Sequence, residues 1–114
     1  MESCGICSSG ENLRVDVGVY TAITIDLTDF DFSGIEKVVW TVKNKFGDAP
    51  VILREFTVAG EHTVTITPAE SLKLKNGALY DFNIITTDGE RYKNGDTGQI
   101  TLRRSVGTWK DSSV

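Results

Sequence analysis

The chain has 114 residues, of which 39% are hydrophobic and 25% are charged, and a formal net charge of −4. This size and composition predict one globular domain and argue against a disordered or membrane-embedded protein. The acidic balance argues against nucleic acid and membrane surfaces as partners, because both carry negative charge themselves. No basic segment followed by an apolar run comes after Met1, so no signal peptide is indicated and a cytoplasmic location is expected.

Residues 1–12 are mostly small and polar, and they are predicted to form a flexible tail. Cys4 and Cys7 stand there in a C-x-x-C pattern. A thioredoxin-type dithiol places its first cysteine at a helix N-terminus after a strand, and no strand precedes Cys4. A structural zinc ion takes four ligands, and the one histidine, His62, belongs to a predicted strand. A tail is therefore the favoured interpretation, ahead of a zinc site shared between subunits and of a redox centre.

An alternation of apolar and polar residues begins at Leu13 and predicts β-strands along most of the chain. Glycine, proline, asparagine and aspartate mark the turns, as at Asp88-Gly89 and Asn94-Gly95. About seven short strands predict an all-β fold, an immunoglobulin-like antiparallel Greek-key β-sandwich over residues 13–106, followed by a tail at 107–114. The strands are predicted at 13–17, 23–27, 38–43, 51–57, 62–67, 79–87 and 99–104.

One short helical turn interrupts this pattern. In "TPAESL", Thr67 suits the N-cap position and Pro68 the first helical position. Glu70 is placed to reach back to the Thr67 amide, which is the spacing of a capping box. Asn76-Gly77 then ends the turn within ten residues, so it predicts a crossover between strands.

The stretch "DFDFSG" resembles the start of a calcium-binding loop. Asp29, Asp31, Ser33 and Gly34 match the first, third, fifth and sixth positions of an EF-hand. The twelfth position, where a bidentate glutamate is required, is Trp40. A solvated loop is therefore predicted, and the alternative is a weak calcium site. That site would use Asp26, Asp29 and Asp31.

Catalytic motifs are missing from the sequence. No serine sits on a tight glycine-flanked elbow, and His62 is expected in a strand, so a Ser-His-Asp triad is not indicated. No glycine-rich phosphate-binding motif occurs, and nothing marks two carboxylates as a facing pair. The sequence thus predicts a protein that is not an enzyme and has no cofactor.

Aromatic and basic side chains towards the C-terminus are the candidate binding residues. Tyr92 and Trp109 are aromatic, and Arg103 and Arg104 are basic. Aromatic and arginine side chains are frequent anchors of protein interfaces, and together they also stack on sugars. The alternative interpretation is an edge strand whose charges prevent pairing with another chain.

The stretch "LKNGALYDFNI" carries the spacing of a tyrosine corner. Leu74, Gly77 and Tyr80 fit the pattern L-x-x-G-x-x-Y. In Greek-key sandwiches this tyrosine lies near the start of the penultimate long strand, and its hydroxyl bonds back to the backbone upstream. Gly77 is expected to supply the unusual dihedral angles of the bend. Trp40 on an earlier central strand is expected to be the large aromatic residue of the core.

Two longer stretches carry a resemblance to a known family. They are "DFSGIEKVVWTVKNKFGDAPVILREFTV" and "VTITPAESLKLKNGALYDFNIITTDGERYKNGDTGQITLRRSV". Their order of loop, hairpin, "ITP" turn and corner resembles the N-terminal β-sandwich of phage baseplate upper proteins and related prophage tail proteins. The resemblance covers roughly residues 13–106 and brings no catalytic residues with it.

The resemblance implies a structural role in a virion. The domain would dock on neighbouring protein subunits of a tail or baseplate, as a homo-oligomer or as part of a larger assembly, and the location would then be the virion. The family's sandwich usually heads a longer chain with further parts, which this sequence does not include. The alternative function is a carbohydrate-binding or adhesive module of a bacterial surface, which predicts clustered exposed aromatic residues or bound calcium.

Overall fold

The computed structural model describes residues 12–104, except for the side chains of residues 94–96 and 104. Within this part the chain is mostly β-strand with one short helix, which confirms the predicted all-β class. Six strands lie within about three residues of their predicted positions, whereas the seventh is longer. The elements are β1 (Leu13–Val17), β2 (Thr21–Leu27), β3 (Ile35–Lys43), β4 (Ile52–Phe56), β5 (Gly60–Ile66), α1 (Pro68–Lys73), β6 (Ala78–Thr86) and β7 (Arg91–Arg104).

The strands form two sheets. The larger sheet has the order β1-β7-β6-β3-β4, and the smaller one pairs β2 with β5. All pairs are antiparallel except β1 and β7, which run parallel, so the expectation of a purely antiparallel fold is wrong at this pair. A parallel pair needs a long crossover, and here the whole chain between the first and last strands provides it.

One hydrophobic core lies between the two sheets. Each strand turns every second side chain inward, as the alternation predicted, so that the apolar residues of both sheets meet there. The largest buried side chains, Trp40, Tyr80 and Phe82, lie on adjacent strands. The core as a whole is formed by Val15, Ile23, Ile25, Leu27, Val38, Trp40, Val42, Ile52, Phe56, Val64, Ile66, Leu74, Ala78, Tyr80, Phe82 and Ile100.

Tyr80 is a central packing residue of this core. It is 1% exposed, and its ring centroid lies 6.0 Å from those of Trp40 and Phe82. On the neighbouring strand, Gly98 is its cross-strand partner, and the phenol ring lies directly over the Gly98 Cα. Gly77 has the left-handed φ of 88° expected for the bend before Tyr80. The bond from the tyrosine hydroxyl to the upstream backbone stays a prediction.

Strand β7 departs from its predicted start. The stretch "NGDTG" was expected to be a turn, but β7 begins at Arg91 and passes through it. Tyr80 pairs with Gly98 and Phe82 with Asn94, so two extra residues of β7 bulge out opposite β6. Bulges of this kind absorb extra residues without ending a strand, which is why turn-forming residues here do not end β7.

The helical turn confirms its predicted caps. The Thr67 hydroxyl accepts a hydrogen bond from the Glu70 amide (3.1 Å), and the Glu70 carboxylate accepts one from the Thr67 amide (3.0 Å). Pro68 occupies the first helical position, where a backbone N–H would have no hydrogen-bond partner within the helix, so its absence loses no helical hydrogen bond. The hairpin at Asp88-Gly89 is also confirmed, because Gly89 has a φ of 90° and its amide bonds to the Thr86 carbonyl.

Candidate interaction face

Side chains close the edge of the larger sheet at β1. The Asp16 amide donates a hydrogen bond to the Thr21 hydroxyl (3.0 Å), and the Gly18 amide donates one to the Ser71 hydroxyl (2.9 Å). Ser71 on α1 is completely buried and donates in turn to the Pro68 carbonyl (2.8 Å). Because these backbone donors already have partners, this edge does not offer a free row of donors to another chain.

Arg54 closes the opposite side in a similar way. Its side chain lies at the edge strand β4 and donates hydrogen bonds to the carbonyls of Leu53 and of Thr65 on β5, both at 3.2 Å. It also binds both carboxylate oxygens of Glu70, at 2.9 and 3.1 Å. The Arg54 guanidinium therefore links β4 of the larger sheet, β5 of the smaller sheet and the helix α1.

The charge of Glu70 depends on this arrangement. Burial raises the pKa of Glu70, but the hydrogen bonds from the Thr67 amide and from Arg54, together with the Arg54 charge, outweigh it. The pKa therefore lies below its ordinary value, and the carboxylate is the stabilised form. Addition of a strand at β4 or β5 would disturb this pair, so the candidate contact surface is a face of the fold.

The outer face of the larger sheet is the face turned away from the core. Across it, Leu53, Thr41 and Asp81 lie side by side on β4, β3 and β6. The next row towards the end of β3 contains Lys43 beside Leu79. This face is half-buried at its centre, where Thr41 is only 8% exposed, although no second layer of the described chain covers it.

A groove of about 220 Å³ runs over this face between β3, β6 and β7. Lys43, Lys45 and Arg91 bring three positive charges to its walls, and Asp81 brings one negative charge. Phe46, in the loop after β3, also lines the groove and is 75% exposed. An exposed ring beside several cations suits a ligand with both apolar and acidic groups, because it provides an apolar contact and charge attraction together.

The floor of the groove is polar and ordered by its own hydrogen bonds. The Asn83 amide donates to the Asp81 carboxylate (3.1 Å), and the Lys93 ammonium donates to the Thr97 hydroxyl (2.6 Å). These two bonds hold four side chains in place, two on β6 and two on β7. We name this groove with its walls, formed by Lys43, Lys45, Phe46, Asp81, Asn83 and Arg91, the basic groove.

The two predicted binding residues whose side chains the structure describes, Tyr92 and Arg103, do not form one site. Tyr92 is 54% exposed, pairs with Ile84 and donates a hydrogen bond to Glu90 (2.8 Å). Arg103 lies near the other end of β7 and forms an ion pair with Asp16 (3.0 Å). Eleven residues of extended chain separate these two, so they cannot contact the same small ligand. The Arg104 side chain and Trp109 lie outside the described residues.

Asp26 and Asp31, just before and in "DFDFSG", serve as turn residues. Asp26 accepts hydrogen bonds from the Thr28 hydroxyl and amide, and these bonds lower the pKa of Asp26. Asp31 accepts from the Ser33 amide, which lowers the pKa of Asp31 likewise. Between residues 12 and 104, no three His, Asp or Glu side chains are grouped so that they could hold a metal ion, and this holds for Asp26, Asp29 and Asp31. The calcium alternative stays a prediction.

His62 also lies apart from the basic groove, which it does not line. His62 packs against Phe56 with its ring centroid at 4.9 Å, and its Nε2 lies 2.8 Å from the Val58 carbonyl. Cys4 and Cys7 lie outside the described residues. No helix within residues 12–104 is long and apolar enough to cross a membrane.

Sequence reasoning did not identify the basic groove. One signal was present: Asp81 and Asn83 alternate with the core residues Tyr80 and Phe82, which places both on the outer face of a central strand. The sequence could not show that Arg91 and Lys45 approach this face, because that depends on the pairing of β6 with β3 and β7. No protein-family model matches the chain, and a comparison with curated proteins gives no match.

Proposed function

We propose that the chain is a non-enzymatic interaction module, a component of a phage or prophage virion that docks on neighbouring protein subunits. The observation that carries the proposal is the contrast between the edges at β1 and β4, where side chains already bind backbone groups, and the outer face of the larger sheet. Arg54 and Ser71 occupy backbone groups at the edges, whereas Phe46 is exposed beside the basic groove. Contact through the outer face leaves the stabilising hydrogen bonds of the fold intact.

We also infer that the fold is a Greek-key sandwich of the immunoglobulin type. The strand orders β1-β7-β6-β3-β4 and β2-β5 support this, as does the parallel pairing of β1 with the last strand. The left-handed Gly77 and buried Tyr80 are the features that a tyrosine corner requires. The order of turns along the chain also supports the virion role, through its resemblance to the sandwiches of phage baseplate proteins.

Purification of virus particles tests the proposal. Particles induced from the strain that carries the gene are isolated by density centrifugation, and the chain is sought in them by mass spectrometry. The chain is expected in the particle fraction. A Phe46→Ala variant is expected to be lost from it, whereas Leu72→Ala is the matched control, because Leu72 is 65% exposed on α1, away from the groove. Absence of the wild-type chain from particles contradicts the virion role.

A carbohydrate-binding or adhesive role is the second candidate. The exposed ring of Phe46 stands beside the amide of Asn83 and the carboxylate of Asp81, and sugar sites commonly combine stacking with such polar groups. Among the described residues, the other exposed aromatic side chains, Tyr20 and Tyr92, do not line the groove. Binding on a glycan array that disappears in Phe46→Ala and persists in Leu72→Ala would favour this role over the virion role.

A further inference from the structure

The two ends of the fold carry opposite charges. Strand β3 runs from one end to the other over nine residues, a length of roughly 30 Å at 3.3 Å per residue. Near its start lie the β2–β3 loop and the β6–β7 hairpin, and near its end lie the β3–β4 loop and the segment after α1. Charged side chains are distributed unevenly between these two groups of loops.

The end near Lys43 is basic. The side chain of Asn44 joins the two segments there, because its amide donates to the Lys73 carbonyl (3.1 Å) and its oxygen accepts from the Lys75 amide (2.8 Å). Four lysines therefore approach one another around Asn44, and they extend the positive charge of the basic groove. We name this the basic end, formed by Lys43, Lys45, Lys73 and Lys75.

The end near Ile35 is acidic. The hairpin is tied to the β2–β3 loop by a hydrogen bond from the Thr87 amide to the Gly34 carbonyl (3.1 Å). The carboxylates there are exposed to solvent. Among the neighbouring cations, Lys37 is paired with Glu55 at 3.0 Å, and Arg91, which belongs to the basic groove, directly follows Glu90. We name this the acidic end, formed by Asp29, Asp31, Glu36, Glu61, Asp88 and Glu90.

We propose that the basic groove and the basic end receive the acidic end of a second copy of this chain. The inference rests on the proposed function and names the partner of the same face. Charge complementarity favours a head-to-tail contact, because a symmetric contact between two basic or two acidic ends brings like charges together. Such a contact uses two different surfaces of each copy and repeats along a row of subunits or closes into a ring. Phe46 provides its apolar centre.

Sedimentation velocity at increasing protein concentration tests the proposal. At about 0.01 M salt the Debye length is roughly 30 Å, and the mean mass is expected to rise at least about twofold above the 12.5 kDa of one chain. At about 1 M salt, where the Debye length is roughly 3 Å, the chain is expected to be a monomer. A wild-type chain that stays monomeric at low salt overturns the proposal.

Charge-changing substitutions at either end show whether association depends on these two surfaces or on non-specific electrostatic attraction. Lys45→Glu/Lys75→Glu removes the net positive charge of the basic end, and Asp29→Lys/Glu36→Lys removes most of the negative charge of the acidic end. Each double variant alone is expected to associate less than the wild type at low salt. A one-to-one mixture of the two is expected to associate more than either variant alone, because the unchanged acidic end of the lysine variant meets the unchanged basic end of the other variant. A mixture that stays monomeric, or a single variant that associates like the wild type, contradicts the head-to-tail contact.

A control variant has the same change of net charge as Lys45→Glu/Lys75→Glu. Arg14→Glu/Arg103→Glu alters two exposed residues on the outer face of β1 and β7, outside the basic groove and the basic end. This variant is expected to associate like the wild type, and its loss of association would mean that net charge alone decides the result. Circular dichroism confirms that every variant is folded. If self-association fails but Phe46→Ala is still lost from particles, the docking face serves a different subunit and the proposed function stands.

Discussion

The close approach of Tyr80 to Gly98 leads to a sharp prediction for Gly98→Ala. A Cβ added at Gly98 would lie 2.6 Å from the Tyr80 hydroxyl oxygen and closer still to two ring carbons. Tyr80 is 1% exposed and packs between Trp40 and Phe82, so its ring has no free space into which it can move. The added methyl group must therefore displace either the ring or strand β7.

The magnitude follows from two opposing terms. Overpacking of a well-packed core typically costs about 1–3 kcal/mol. The loss of glycine flexibility in the unfolded chain returns about 0.4–1 kcal/mol. Since Gly98 does not have a left-handed φ, no backbone strain is added. We expect Gly98→Ala to lower the free energy of unfolding by about 1–2 kcal/mol.

Urea unfolding followed by circular dichroism measures this change, and a double-mutant cycle identifies its cause. In a Tyr80→Leu background the ring is missing, so Gly98→Ala is expected to be neutral or slightly stabilising. The coupling between the two substitutions is therefore expected to be about 1–2 kcal/mol. Gln99→Ala, at an exposed neighbouring position of β7, is the control and should change stability by less than about 0.5 kcal/mol. A neutral Gly98→Ala in the wild-type background would refute the packing of the ring over β7.

Three further predictions concern the groups that close the sheet edges. Arg54→Met should lower the free energy of unfolding by about 1–3 kcal/mol, because Glu70 and two carbonyls lose a charged donor; Lys37→Met, which breaks an exposed pair, should cost at most about 1 kcal/mol in the same urea titration. The pKa of Glu70 in the folded state lies below its ordinary value of 4.5. The ionised Glu70 therefore stabilises the fold above pH 4.5, and this contribution is lost as the pH falls through the lower folded-state pKa. Urea midpoints at several acidic pH values should therefore fall less steeply in Glu70→Gln than in the wild type, and equal slopes would contradict this. Ser71→Ala should cost about 1–3 kcal/mol, since the Gly18 amide loses its acceptor, and a thermal melt unchanged from the wild type would argue against that bond.

Local chemistry made much of the fold predictable. The capping box of Thr67 and Glu70 depends on residues three positions apart, and the structure contains both of its hydrogen bonds. The alternation of Tyr80, Phe82 and Ile84 likewise depends only on the pleat of one strand, so their inward orientation followed directly from the sequence. Gly77 was predicted to adopt an unusual conformation for the same local reason, and it does so.

Features that depend on pairing between distant strands were not predictable in this way. The parallel pairing of β1 with β7 joins residues almost ninety positions apart, and no local pattern specifies it. The sequence predicted a turn where β7 has a bulge, because Asn94-Gly95 is compatible with a turn and with a bulge. The pairing register of β7 with β6 determines which of the two forms. The basic groove has the same origin, since Lys45, Asp81 and Arg91 meet only through the order of the strands.

The position of Arg54 connects the stability of the fold with its proposed use. An open edge at β4 or β5 would recruit any extended chain, because backbone hydrogen bonding is not selective for sequence. By bonding to the carbonyls of Leu53 and Thr65, Arg54 removes that unselective mode of contact. Under the proposed function, other subunits would then bind through the outer face, where selectivity comes from side chains. Lys45 and Phe46 supply a charge and an apolar ring beside each other, so a partner must match both, and this requirement can exclude partners that an open strand edge would accept.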